Sequence, residues 1–242
     1  MNYRFKKTIV VALGGSIVYP GVHPDGIDTQ FLKDFKKFLA PFLRPHAGSS
    51  KRGTRFVLVV GGGKLARRFQ DAAHHVAKVA DEDKDWLGIH ATRLNAHLLR
   101  TIFREVADPV IMDNRDRLKS AKYPVTIAAG WRPGWSTDYV AMQIAEDFGA
   151  GEAIIAGKPS HVYEKDPAKY PNAAKFDELG WKQYRKLIPA KWSPGMGAPV
   201  DPVGAALGAR KKIKAIIIDG RDLKNFAALL NGKEFQGTII GA

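Results

Sequence analysis

The chain predicts an α/β fold with a mostly parallel central sheet and helices on both of its faces, and three observations carry that expectation. Apolar runs of five or six residues, too continuous for strands with one wet face, alternate with segments whose apolar residues recur at helical spacing. Two of these runs end in glycine-rich turns within the first 65 residues, Gly14-Gly15-Ser16 and Gly61-Gly62-Gly63. The 242 residues are 45% hydrophobic, enough material for one large domain or two small lobes that fold without staples.

The elements follow in order. Residues 1–7 are polar and lead directly into a strand at Thr8–Leu13, which the first glycine turn closes. Asp28 is placed to cap a helix whose stripe of Phe31, Leu32, Phe35, Phe38, Leu39 and Phe42 reads as core, with Pro41 marking its end. Residues 44–55, rich in Gly, Ser and Pro, read as an exposed loop. The Val-rich run from Phe56 to Val60 is a strand buried on both faces. After its three glycines, Leu65, Phe69, Ala72, Val76 and Val79 return at helical spacing.

The acidic run from Asp81 to Asp85 reads as a solvated loop or helix start, followed by a long helix over about 86–105 with Leu98, Leu99, Ile102, Phe103 and Val106 inward. Residues 109–112 and 124–129 read as strands. The loop 130–138 ends in a helix start that Ser136 or Thr137 can cap, ahead of Val140, Ala141, Ile144, Ala145 and Phe148. A strand over 152–156, a proline-containing loop over 157–175, a helix over 177–187 and a Gly/Pro-rich loop over 189–200 come next. Asp201-Pro202 opens a helix, since Asp caps and Pro suits the first turn. A strand over 213–218, a helix over 222–230 and a short strand at Thr238–Ile240 complete the chain, with no internal repeat.

Composition narrows the chemistry. With no cysteine, disulfides, thiolate metal sites and cysteine nucleophiles are excluded, which is compatible with a cytoplasm. No 18-residue apolar run and no signal pattern are present, so a cytoplasmic protein without a membrane partner is expected. The formal net charge of +14 favours anionic ligands. The 38 lysines and arginines are spread along the chain without a basic tail or an aromatic RNA-binding motif, which argues against a dedicated nucleic-acid binder.

In a parallel α/β sheet, ligands bind at the carboxyl ends of the strands, where the glycine turns and the 130–138 loop lie. Glycines there let backbone approach a ligand, and helix starts favour an anion. Lys64 and Arg67 stand one turn apart beside the second turn, and Asp138 and Asp201 are available to organise a cation or position lysines. The sum suggests phosphoryl transfer. A tight turn with incidental cations is the lesser alternative for the glycines, while capping alone is the simpler account of Ser136 and Thr137.

Six stretches, in one order, resemble the amino-acid-kinase superfamily, and most closely its archaeal-type uridylate (UMP) kinases. They are Gly14-Gly15-Ser16; Gly61-Gly62-Gly63-Lys64-Leu65-Ala66-Arg67; Asp85 with Gly88, Ile89, Thr92, Arg93, Asn95 and Ala96; Gly130 with Pro133, Gly134, Ser136, Thr137 and Asp138; Val162-Tyr163 with Asp166-Pro167; and Asp201-Pro202. The resemblance spans nearly the whole chain. It implies a three-layer αβα sandwich of the carbamate-kinase-like type, a single domain over 1–242 with an acceptor lobe of about 1–150 and an ATP lobe of about 151–242, and a homohexamer.

It also implies direct in-line transfer from ATP, with Mg2+, to UMP. Gly14, Gly15 and Ser16 would lie against the transferring phosphates, Gly62, Gly63, Arg67 and Thr137 would hold the UMP phosphate with Gly130 and Ser136 beside them, and Asp85 would reach the ribose. Tyr163 and Asp166 would serve ATP, while Asp138 and Asp201 would organise the catalytic centre. There are departures from the family pattern. Ala12 stands where many relatives carry lysine, Trp131 where threonine is usual, and Lys158-Pro159-Ser160-His161 replaces Asn-Val-Asp-Gly. Lys158 or Lys64 is the remaining candidate for neutralising phosphate, and His161 reads as a surface or packing residue. These departures keep two alternatives in view: a non-catalytic nucleotide or oxyanion binder on the same fold, and a kinase of another small phosphorylated acceptor.

Overall fold

The computed structural model describes residues 8–22, 26–43, 54–117 and 123–241; the polar residues 1–7 and nearly all of the loop expected over 44–55 lie outside them. The described elements are β1 (Thr8–Leu13), α1 (Gly15–Val18), α2 (Thr29–Leu43), β2 (Arg55–Val60), α3 (Gly63–Val76), α4 (Asp81–Ile102), β3 (Val125–Ala128), α5 (Thr137–Asp147) and β4 (Glu152–Gly157). The second half continues with β5 (Val162–Tyr163), β6 (Lys175–Phe176), β7 (Glu178–Leu179), α6 (Trp181–Leu187), α7 (Pro202–Lys211), β8 (Lys214–Asp219), α8 (Leu223–Leu230) and β9 (Thr238–Ile240).

Seven strands form one sheet in the order β3-β2-β1-β4-β8-β9-β7, parallel throughout except between β8 and β9; β5 and β6 make a separate antiparallel pair. The period of two along β1 divides its side chains between two cores. Ile9, Val11 and Leu13 meet Phe35 and Leu39 of α2, Leu99 of α4 and Phe226 of α8, while Val10 and Ala12 meet Val140 and Ile144 of α5, Tyr184 of α6 and Leu207 of α7. Helices therefore cover both faces, as the expected three layers require. The chain passes from β1 to β2 on one side of the sheet and reaches β4 on the other, so the carboxyl end of β1 lies at a switch in strand order.

Caps read from sequence form as expected. Asp28 accepts from Phe31 N at 2.9 Å, Ser136 from Tyr139 N at 3.0 Å, and Asp201 from Val203 N and Gly204 N at 2.8 and 3.1 Å. Several expectations need correction. α2 is not among them, since it ends at Leu43, near Pro41 as expected; the proline sits in the last turn and forfeits one backbone bond there, while Phe38 and Phe42 on either side stay packed on the core. α4 begins at Asp81 rather than 86, because Asp81, Glu82 and Asp83 occupy the first turn, where the helix dipole favours acids.

Residues 109–112 are no strand. Isolated bridges join Ala107 to Val125 and Met112 to Ala128, and Pro109 between them has no N–H to give. The first part of 177–187 is β7, which adds to the sheet edge beside β9, and the helix starts only at Trp181. The 157–175 loop carries β5, which β6 pairs. α3 adds a fact that the sequence reading did not address. It is helical as its spacing predicts, yet none of its residues is buried, and Phe69 and Val76 are 58% and 89% exposed. Periodicity reports a helix with an apolar face but not what covers that face.

Candidate functional site

At the carboxyl ends of β1 to β4 the loops converge on a cavity of about 370 Å3. The two glycine turns form its floor by packing directly on one another. A Cβ on Gly15 would lie 2.1 Å from Gly63 N and 2.4 Å from Gly61 C, and one on Gly61 would lie 2.5 Å from Gly15 N. Gly63 also has φ +63°, a conformation that glycine adopts freely. Here, then, the glycines are required by the approach of one loop to the other. Gly14 N donates to Ala156 O at 2.8 Å and Gly61 N to Leu13 O at 3.0 Å, tying both turns to the sheet.

Two buried residues of α4 hold the neighbouring loops. Asn95 Nδ2 donates to the carbonyls of Gly61 and Gly62 at 2.9 and 3.2 Å, and Thr92 Oγ1 accepts from Gly130 N at 2.8 Å while donating to Ile89 O. Sequence reasoning quoted both without giving them work. The available signal was polar side chains three residues apart among the inward positions of a helix.

Asp85, from the first part of α4, accepts through Oδ2 from Gly134 N at 2.7 Å and from Trp192 Nε1 at 3.3 Å. Trp192 was missed altogether, and 107 residues of sequence separation explain why. Ser136 does two things at once: its Oγ caps α5 and donates a short hydrogen bond to Asp201 Oδ2. Both oxygens of Asp201 are thereby engaged, and the residue is buried at 2% exposure. Asp138, one residue past Thr137, accepts no hydrogen bond from the described residues. Desolvation first, and the nearby Asp201 second, raise its carboxyl well above the ordinary value of 3.8. Tyr184 exchanges two 2.7 Å bonds with Val200, donating to its carbonyl and accepting from its N–H, and burial pushes the phenol above its usual range so that it keeps its proton.

The cavity wall thus gathers Gly14, Gly15, Ser16, Gly62, Gly63, Arg67, Asp85, Gly130, Ser136, Thr137, Asp138, Lys158 and Asp201. Lys64, Tyr163 and Asp166 lie outside it. Lys64 is exposed beside Gly21, the Tyr163 hydroxyl is 3.2 Å from Ser160 Oγ, and Asp166 Oδ1 accepts from Ala168 N in an exposed turn. His161 is buried at 4%, with its Nδ1 3.0 Å from Ser160 Oγ; burial and then Lys175 lower its pKa, so it is a neutral packing residue. Trp131 is buried against Met112 O in the second core, outside the wall, while Ala12 belongs to the wall.

Among the described residues no group of three His, Asp or Glu side chains is placed to hold a metal, and no helix is long and apolar enough to cross a membrane. With both oxygens of Asp201 engaged, Asp138 and one oxygen of Asp85 are the carboxylate groups of the wall without a hydrogen-bond partner among the described residues, and Asp138 is the one beside Asp201. That donor set fits Mg2+ carried largely on phosphate oxygens, which keeps only one or two protein carboxylates.

Comparison with known proteins gives one consistent answer. The model of the amino acid kinase family matches residues 7–219. A uridylate kinase of Methanosarcina barkeri is 38% identical over 218 residues, covering 88% of this chain and 87% of that one. A uridylate kinase of Methanocorpusculum labreanum is 31% identical over 236 residues, covering 96% and 95%. Among solved structures, the uridylate kinase of Archaeoglobus fulgidus superposes with a TM-score of 0.77 at 29% identity, over 98% of this chain and all of that one.

Proposed function

Since the chain belongs to the amino acid kinase family, we propose that it transfers the γ-phosphoryl group of ATP directly to UMP, giving ADP and UDP. The observation that carries this reading is the convergence, on one cavity, of two interlocked glycine turns with the Ser136–Thr137 helix start, Arg67 and two differently employed aspartates. Phosphoryl transfer asks a protein mainly to position and neutralise, and these groups do both.

In this reading the single domain has its acceptor half over about 1–150 and its ATP half over about 151–242. Gly62, Gly63, Arg67 and Thr137 hold the UMP phosphate, at a helix start where N–H groups have no intrahelical partner. Gly130, fixed by Thr92, completes that pocket. Asp85 keeps Oδ1 for a ribose hydroxyl, since Oδ2 is taken by Gly134 and Trp192. Gly14, Gly15 and Ser16 lie along the path of the transferred group. Asp201 orients Ser136, and Asp138 orients the reacting phosphates. Mg2+, when bound with ATP, supplies charge neutralisation beside Asp138. Lys158, in the cavity wall, is our assignment for the cation that balances the developing charge, ahead of Lys64 outside it. Tyr163 and Asp166 serve the outer edge of ATP.

A homohexamer in the cytoplasm completes the proposal. It is supported by the uncovered apolar face of α3 and α4, where Phe69, Val76 and Leu94 are all more than half exposed, and by the absence of cysteine. Sedimentation would check the assembly. For the reaction, purified protein with ATP, Mg2+ and UMP should form UDP in a coupled assay, and nucleotide binding without any UDP would replace the kinase with a binding protein. Arg67→Ala should weaken apparent UMP affinity by about 1.5–3 kcal/mol, roughly 10- to 150-fold, the range for a charged hydrogen bond. An unchanged affinity would remove Arg67 from the phosphate site.

A further inference from the structure

A second cavity, of about 330 Å3, is walled by Lys182, Arg185 and Lys186 of α6, by Ile188 and Pro189 where the next loop starts, and by Pro202 where that loop ends. It shares no lining residue with the first cavity. The three cations are exposed, stand at i, i+3 and i+4 on one face of α6, and make no ion pair among the described residues. From Trp181 to Lys214 the chain carries eight lysines and arginines and one acid, the buried Asp201, so this segment carries half of the formal excess positive charge, three of its cations lining the cavity.

The loop between the two helices links the cavities. Its ends line the second, while Trp192, Gly195 to Pro199 and Asp201 line the first. Two further contacts couple α6 to the catalytic side. Tyr184, on the same short helix as the three cations, is bonded twice to Val200. The next residue, Asp201, holds the Ser136 hydroxyl, and Trp192 within the loop holds Asp85. A shift of α6 is therefore transmitted to both halves of the first cavity through bonded neighbours.

Resting on the kinase reading for its consequence, we propose that the second cavity is an effector site for a small, multiply charged inorganic polyphosphate, whose binding repositions the 188–202 loop. The cavity volume is that of a small-ligand site. Its lining contains no aromatic side chain on which nucleic-acid bases would stack, and three cations clustered on one helical turn match a compact phosphate group better than an extended backbone.

The test uses the full chain and sodium tripolyphosphate. In magnesium-free buffer, with UMP and a non-hydrolysable ATP analogue in excess, calorimetric titration should give one site per chain. The Lys182→Ala/Arg185→Ala/Lys186→Ala variant, altered only at exposed side chains and checked by thermal melting, should bind roughly tenfold or more weakly. With magnesium restored above the tripolyphosphate concentration, the anion should shift the apparent UMP KM of the parent by about fivefold or more and leave that of the variant unmoved. Equal affinity in parent and variant, no binding by the parent, or a single-stranded oligonucleotide that displaces tripolyphosphate at equal phosphate concentration would each overturn the proposal. Failure of the kinase reading shows separately, as no UDP without tripolyphosphate, and leaves the comparison of the two titrations intact.

Discussion

Asp138→Asn is expected to lower turnover by about two to three orders of magnitude, the range for losing a preorganised electrostatic group, while making the nucleotide-free protein more stable at neutral pH. Both effects have one origin. The Asp138 carboxyl is desolvated, faces the engaged Asp201, and has no hydrogen-bond donor of its own among the described residues, so its pKa is raised well above 3.8. A raised folded-state pKa favours the protonated form. The stability contributed by Asp138 is therefore fully present below the unfolded value near 3.8 and is lost as pH rises through the higher folded value.

As pH rises above the unfolded value, the parent loses stability because its desolvated Asp138 carboxyl holds its proton more tightly than the unfolded chain does, whereas asparagine has no proton to lose. Thermal melts between pH 4 and 8 should thus show the variant gaining on the parent as pH rises. UMP affinity should change little, because the acceptor phosphate is held by other groups, so the loss falls on kcat rather than KM. A variant with unchanged kcat, or one less stable than the parent at every pH, would show that Asp138 is a structural residue.

What could be read from the sequence, and what could not, divides by sequence distance. β1 and β2 were legible because a strand buried on both faces must be apolar throughout, and Val57 to Val60 and Ile9 to Leu13 are. Asp28, Ser136 and Asp201 were legible as caps because a cap is fixed by the two or three residues after it. The same locality hid the site's internal wiring. Asp201 reads as a cap and is one, but its second oxygen is committed to Ser136, 65 residues away. Trp192 sits in a loop that shows no pattern, yet it fixes Asp85. The apolar stripe of α3 was legible as a helix from its spacing, and spacing says nothing about burial: the folded protomer leaves this face exposed. The glycine turns were read as places where backbone approaches a ligand, and their first constraint turns out to be each other.

That constraint makes Gly15→Ala a severely damaging substitution. The added methyl would stand 2.1 Å from Gly63 N, 2.4 Å from Gly61 C and 2.5 Å from Gly61 O, all backbone, so no side-chain rotation relieves it. Either turn must move, and each is tied to the sheet, Gly61 N through Leu13 O and Gly14 N through Ala156 O. Overpacking of this kind costs about 1–3 kcal/mol and more where backbone must yield, which for a chain of this size lowers Tm by roughly 2–12 °C or more. Separation of the turns also displaces Gly62 and Gly63, so binding of both ATP and UMP should be lost together.

Gly197→Ala is the matched control, since Gly197 lines the same cavity, has ordinary φ, and would place its Cβ with nothing within 4 Å. It should melt within a degree or two of the parent. Should Gly15→Ala fail to fold, Gly14→Ala offers a milder probe, its Cβ meeting Ala156 O at 3.2 Å and Gly157 Cα at 3.3 Å. Graded losses across Gly197, Gly14 and Gly15 would show that the contact between the turns builds the phosphate site. Equal behaviour of all three would mean that the turns act independently and that the convergence of the two loops is incidental to catalysis.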